Sequence, residues 1–241
     1  MEYGDWAVRY ARIQREFGFP FDREERAAAA LERLLPEASR RDPLGRLAAR
    51  LRDRDAIVVG CAPGGGPPPL WRLPPAVDRP VLVAADGATE VCLAAGLVPA
   101  VVVTDLDGPV PSEVTASGRG GLVLVHAHGD NVPALERWVP EFPGELAGSW
   151  AGPPRPALID VGGFTDGDRA AFLAEAVGAR QILLWGFDFE RVEETDPARR
   201  SVKQAKLRWA RALLAELAEA GRVPVRSWER NGRVLDYPRT G

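Results

Sequence analysis

A chain of 241 residues and 26.1 kDa holds one large domain, or a domain with an appendage. Its 46% hydrophobic and 27% charged residues exclude wholesale disorder and collagen-like or coiled-coil builds. A net charge of −3 argues against a dedicated nucleic-acid binder, and the longest uncharged run, 56–71, is too broken by Gly and Pro to span a membrane. Met1–Tyr10 has no apolar h-region, and the isolated Cys61 and Cys92 make neither a disulfide framework nor a zinc site. The expectation is a soluble, cytoplasmic protein.

Residues 1–54 read as a helical segment without a chemical motif. Tyr3, Trp6, Tyr10, Ile13 and Phe17 recur at the spacing of one helix face. Phe19-Pro20 ends that helix, and Asp22 is placed to N-cap a second one through Ala27, Leu31, Leu34 and Leu35. A third, Leu44 to about Arg52, follows Pro43. These stripes are expected to pack on the main domain; a partner-binding face is the competing reading.

From Asp55 the pattern changes. Runs rich in Val, Leu and Ile occupy 56–60, 81–85, 100–104, 121–126, 157–161, 181–186 and 223–227. Helix-compatible segments lie between several of them, at 88–96, 132–139, 166–178 and 201–220. Continuous apolar strands alternating with helices indicate a parallel sheet covered on both faces. Residues 55–241 are therefore expected to form one α/β domain with a doubly wound, mostly parallel sheet. The Gly/Pro-rich stretches 62–69 and 143–156 are expected to be loops within it.

Open parallel sheets bind ligands at the carboxyl ends of their strands. Six of the expected strands end in Gly, Asp or both, and Asp105-Leu106-Asp107 is the most informative of these ends. Two carboxylates two residues apart, with no basic neighbour, repel unless a cation resolves them. Oxygen ligands suit Mg²⁺, which takes one or two carboxylates plus substrate phosphates. Asp130, at the next strand end, is the expected third acid of a metal–phosphate site. Asp86-Gly87 alone reads first as a turn. Gly64-Gly65-Gly66 offers backbone amides to a phosphate or is a plain loop; it lacks the Lys of a Walker A loop. Thr165 is expected to N-cap a helix starting at Asp166, and Asp166 and Asp168 there favour a neutral, hydrogen-bonding ligand over a phosphate.

Rare residues add weight. Lys occurs only at 203 and 206, His only at 126 and 128, Asn only at 131 and 231. Lys203 and Lys206 share a helix face and read either as polyphosphate partners or as solvated surface. His128 or His126 could take a proton near neutrality, or simply hydrogen-bond within its loop.

Three motifs in order, Thr104-Asp105-Leu106-Asp107-Gly108, His126-Ala127-His128-Gly129-Asp130-Asn131 and Gly163-Phe164-Thr165-Asp166-Gly167-Asp168-Arg169-Ala170, resemble archaeal-type 6-hydroxymethyl-7,8-dihydropterin pyrophosphokinases. Gly186-Phe187-Asp188-Phe189 and the Lys203/Lys206 helix fit the same pattern, so the resemblance spans nearly the whole chain. That family is similar to the catalytic domain of thiamine pyrophosphokinases, where Asp86, Asp105, Asp107 and Asp130 match residues that hold Mg·ATP. The resemblance implies diphosphate transfer from ATP to a reduced pterin, with Mg²⁺ as cofactor, in folate-type or methanopterin-type coenzyme synthesis. It places nucleotide at Gly60, Pro63, Gly64, Gly65, Asp86, Gly87, Asn131, Lys203 and Lys206. The first loop departs from the family's Gly-x-Gly-Pro-Ser pattern, reading Gly60-Cys61-Ala62-Pro63-Gly64.

For such an acceptor, the loops Gly163–Asp168 and Phe187–Phe189 offer acids, amides and aromatic faces. Gly163, Phe164, Thr165, Asp166 and Asp168 are the expected substrate contacts, with Asp188 as the carboxylate for the pterin's guanidine-like edge. The β-rich domain that would hold thiamine is not expected here, which makes thiamine the weaker candidate acceptor. The Asp-x-Asp motif on its own is also compatible with a nucleotide-sugar glycosyltransferase or with a non-catalytic Mg-nucleotide-binding regulator. ATP and a reduced pterin are the expected partners, without nucleic acid or membrane. Oligomeric state is not readable from the sequence.

Overall fold

The computed structural model describes residues 3–237. Four helices come first: α1 (Tyr3–Phe17), α2 (Phe21–Leu34), α3 (Glu37–Arg40) and α4 (Pro43–Leu51). The stripe of α1 is buried at Trp6, Tyr10 and Ile13, which join Leu47 and Leu51 of α4 in one core with the sheet. The side chain of Tyr3 lies outside the described residues. Asp22 is not the cap of α2. Pro20 holds that position, its carbonyl accepting from Arg23 N at 3.0 Å, while Asp22 sits in the first turn and pairs with Arg26 at 2.9 Å.

The strands are β1 (Asp55–Val59), β2 (Pro80–Ala85), β3 (Val101–Thr104), β4 (Leu122–Ala127), β5 (Leu146–Trp150), β6 (Leu158–Ile159), β7 (Gln181–Trp185), β8 (Val225–Trp228) and β9 (Val234–Asp236). They form a nine-stranded sheet in the order β6-β5-β4-β3-β2-β1-β7-β8-β9. Every pair is parallel except β8–β9 at one edge. Both faces are covered, as the unbroken burial of β1, β3, β4 and β7 requires. α1, α4, α8 (Asp166–Ala176) and α9 (Pro197–Ala220) share one face. α2, α5 (Ala88–Ala94), α6 (Val110–Gly118) and α7 (Val132–Trp138) contribute to the cores on the other. No described helix is long and apolar enough to cross a membrane.

Three segments differ from the sequence expectation: 143–156, α6, and β9, a short antiparallel edge strand beyond the last expected run at 223–227. The stretch 143–156 is not all loop, since β5 lies inside it. Leu146-Ala147-Gly148-Ser149-Trp150 contains no β-branched residue, so strand propensity is silent there. Its burial explains the composition: a Cβ on Gly148 would stand 2.4 Å from Leu158 Cδ2 and 2.8 Å from Leu35 Cδ1. The second is α6, whose Pro-, Ser- and Gly-containing sequence carries little helical signal.

Because the chain steps outward from β1 to β6 and then returns to pair β7 with the free side of β1, the order reverses between β1 and β7. At such a switch point, diverging connections open a crevice above the carboxyl ends of the strands.

Candidate active site

A cleft of about 660 Å³ lies at that point. Its floor comes from the loop after β1, including Gly60, Pro63, Gly64 and Gly65. Asp86 and Gly87 enter from β2, Thr165 and Asp166 from the start of α8, Asp188 from the end of β7 and Lys203 from α9.

Asp86 and Asp166 line it, and Asp105 and Asp107 act on both electrostatically from beside it. Asp105 is pushed up by burial, but His128 and Lys206 outweigh this and hold it at about 2. Asp107, pushed up by burial and then by Asp105 and Asp86, reaches about 6. Asp86 is raised by burial and by Asp105. Asp166 is raised well above the usual range by burial and by the facing Asp105, Asp86 and Asp107. Four acids from two strand ends and a helix start therefore share one field, which disfavours full ionisation without a cation.

The backbone enforces this crowding. Leu106 adopts φ 67°, a left-handed turn that a non-glycine residue rarely takes, and its side chain is buried in the core with Val102 and Val110. Thr104 Oγ1 accepts from Leu106 N at 2.9 Å, fixing the turn. Gly108 lies so close to Asp86 that a Cβ there would meet the carboxylate at 2.3 Å. Below them Glu113 of α6, fully buried, is pushed up to about 9 by burial and by Asp86. Burial and Asp86 thus both favour its neutral form.

Asp130 does not join the cluster. Its side chain is 68% exposed and turned toward Arg23 of α2, 3.9 Å away, so Asp86 and Asp166 take the place expected for it. Asn131 is equally committed elsewhere. Its Nδ2 donates to the carbonyls of Asp105 (2.8 Å) and His126 (2.7 Å), and its Oδ1 accepts from His128 N at 3.1 Å. It ties the two loops together and has little left for a nucleotide.

His128 places Nε2 3.2 Å from Asp105 Oδ2, while Nδ1 faces the Asp130 amide at a long 3.5 Å. Both ring nitrogens are engaged, so His128 orients Asp105 rather than offering a free base. His126 is buried, bonds Ser149 Oγ at 3.0 Å, and is pushed well below the usual imidazole range by burial and then by Arg169.

The glycine loop before α8 is held internally. Asp168 accepts from Phe164 N at 2.6 Å, from Thr165 N at 2.8 Å and from the Thr165 hydroxyl. Fully buried, Asp168 caps its own helix and does not reach the rim, a correction to its expected role. Arg169 grips the carbonyls of Gly163 and Phe164, each at 3.0 Å, and Phe164 packs on Phe17 of α1 with ring centroids 5.0 Å apart. Asp188 folds one oxygen onto its own turn, accepting from Glu190 N at 2.9 Å and Arg191 N at 3.1 Å.

Sequence reasoning missed Glu24. This α2 residue, 1% exposed, accepts from Gly129 N at 3.1 Å and from the Tyr10 hydroxyl at 3.3 Å, so two N-terminal helices hold the His128 loop. An isolated Glu in a charged helix gives no signal of this.

The donors are of the type a hard divalent cation takes: carboxylate oxygens that raise one another's pKa, on a rim where phosphates could complete the shell. Among the described residues no three His, Cys, Asp or Glu side chains form a ready-made metal cage.

Fold and site define a doubly wound α/β protein with carboxylates and a lysine gathered at the cleft by its switch point. A family model described as 6-hydroxymethylpterin diphosphokinase MptE-like matches residues 35–194, and the chain belongs to this family. Three relatives carry the name 6-hydroxymethyl-7,8-dihydropterin pyrophosphokinase. That of Methanothermobacter thermautotrophicus is 37% identical over 95% of this chain and 100% of its own length. That of Pyrococcus furiosus is 37% identical over 93% of this chain and 98% of its own, and that of Methanocaldococcus jannaschii 29% over 91% and 97%.

Proposed function

We propose that this chain transfers the terminal diphosphate of ATP to the hydroxymethyl oxygen of 6-hydroxymethyl-7,8-dihydropterin and releases AMP. The observation that carries the reading is the convergence of Asp86, Asp105, Asp107 and Asp166 opposite Lys206 at the switch point. The names of its relatives support the acceptor and do not favour thiamine, a nucleotide sugar or a purely regulatory role.

The alcohol oxygen bonds to the β-phosphorus, the bond from that phosphorus to the oxygen shared with the α-phosphorus breaks, and AMP leaves with the electron pair. The alcohol proton is lost to water. Little covalent work falls to the protein, so positioning and charge neutralisation dominate. Mg²⁺, held by Asp105 and Asp107 with Asp86 and Asp166 in reach, would neutralise charge on the triphosphate and on departing AMP. Lys203 in the cleft and Lys206 beside the acids supply point charges for the phosphates. The loop Gly60–Gly65 lies along the cleft where a phosphate chain would run. His128 and Asn131 fix Asp105 from behind. Service in folate-type or methanopterin-type synthesis, in the cytoplasm, belongs to the same proposal.

The test is AMP formation from ATP with and without 6-hydroxymethyl-7,8-dihydropterin. AMP should appear only with the pterin and stop with EDTA. No AMP above the ATP-only control would overturn the reading.

A further inference from the structure

A second cavity, about 160 Å³, lies away from the nucleotide-sized cleft, between α1 and the ends of β5 and β6. Trp6 and Tyr10 wall it, with Gln14, Gly152 and Asp160 around them. Three of its lining residues each hold a buried side-chain atom that has no hydrogen-bond partner: Trp6 Nε1, Gln14 Nε2 and Asp160 Oδ2. Asp160 Oδ1 accepts from Gly162 N at 3.0 Å, and the Gly152 amide approaches the carboxylate without closing a bond to Oδ2. Burying polar atoms unpaired is costly, so three in one small aromatic-walled space point to a ligand that pairs them.

Their chemistry is specific. Two donors and one carboxylate oxygen match a flat ring whose edge presents adjacent N–H groups beside a carbonyl. The 2-amino-4-oxopyrimidine edge of a pterin is such an edge: N3–H and the 2-amino group donate to a carboxylate, and O4 accepts. Its aromatic face suits Trp6 and Tyr10, whose ring centroids stand 5.7 Å apart. Asp188, the sequence candidate for this edge, already has one oxygen bonded within its own turn and lines the nucleotide-sized cleft.

Position agrees as well. Asp160 follows β6, and β3, which Asp105 follows, lies three strands away on the same rim. At ~4.8 Å per strand that is about 14 Å, a span which a bicyclic ring and its hydroxymethyl arm largely bridge. We infer that the cavity formed by Trp6, Gln14 and Asp160 binds the aminopyrimidinone edge of the acceptor and directs its hydroxymethyl group along the rim toward Asp105. The inference rests on the acceptor proposed above, and it gives the N-terminal helix a direct part in substrate choice.

The test uses the full chain and titrates 6-hydroxymethyl-7,8-dihydropterin by fluorescence without ATP, alongside KM and kcat for both substrates. Asp160→Asn, near-isosteric, should weaken pterin binding roughly ten- to a hundredfold and leave the affinity for Mg·ATP unchanged. The matching analogue with a 2-oxo in place of the 2-amino group should bind wild type poorly, and Asp160→Asn should narrow that gap. Gln14→Leu, on a partly exposed helix position, should weaken pterin binding with an unchanged melting temperature, so the test survives if the Asp160 variant misfolds. Wild-type pterin affinity and preference in both variants, with the enzyme still forming AMP, would overturn the cavity assignment alone. A wild-type chain that neither binds nor turns over the pterin would remove the proposed function and this inference together.

Discussion

The two ends of the central strands treat the same side chain in opposite ways. At the amino end of β1, Asp55 is fully buried and every approach to it is satisfied. Arg180 donates through Nε at 2.7 Å, Asp78 N at 2.7 Å and Gln181 Nε2 at 3.1 Å. Burial alone would raise its pKa, but these donors outweigh burial and leave it below the usual carboxylate value. At the carboxyl ends, Asp86, Asp107 and Asp166 face one another with few donors, and all three are raised. One end satisfies its acid within the fold; the other leaves its acids to raise one another, which is where the proposed site lies.

Mutations should separate these roles. The largest effect is expected from Asp105→Asn, which removes an anionic ligand from the rim. It should lower kcat for AMP release by about a thousandfold while the melting temperature holds. Gly108→Ala comes next, because its methyl must displace the Asp86 carboxylate. Misplacing that group should cost on the order of a hundredfold in kcat/KM, with Mg·ATP binding by calorimetry weakened in parallel.

At the other end, Asp55→Asn should lower stability by about 2–3 kcal/mol in urea titrations and leave kcat intact where the protein remains folded. The pH dependence has a definite sign. Asp55 is lowered in the folded state, so its contribution is full above the unfolded value of about 3.9 and is lost as pH falls below it. Wild type should lose stability through that range, and the Asn variant should show a flatter profile. The smallest effect belongs to Asp130→Asn, which removes a long, exposed contact to Arg23 and should change kcat by less than about twofold. A large loss there would return Asp130 to the ligand set and sharpen the boundary of the site.

These contrasts also show what a sequence displays. β1 through β4 and β7 are legible because strands buried on both faces must be runs of Val, Ile and Leu. β5 is not, since its closeness to Leu35 and Leu158 selects small residues that carry no strand signal. Asp105-x-Asp107 is legible because its spacing at a strand end is itself a geometric statement. Asp130 sits at a similar strand end, yet its sequence does not tell which way the side chain turns, and Arg23 draws it outward. Glu24 and Glu113 act only through partners from distant parts of the chain. Each reads locally as an ordinary acid.

The scarcity of lysine has a practical consequence. Lys203 and Lys206 are the chain's two lysines, and both lie on the stretch of α9 that borders the cleft. Apart from the amino terminus, an amine-acylating reagent therefore has these two addresses and no others. Acylated lysine resists trypsin, and Arg200 and Arg208 flank the pair, so both labels fall on the single peptide Ser201–Arg208. Its mass shift in intact enzyme makes a footprint of the cleft, with polyphosphate protection readable at one peptide without a mutation or a spectroscopic probe.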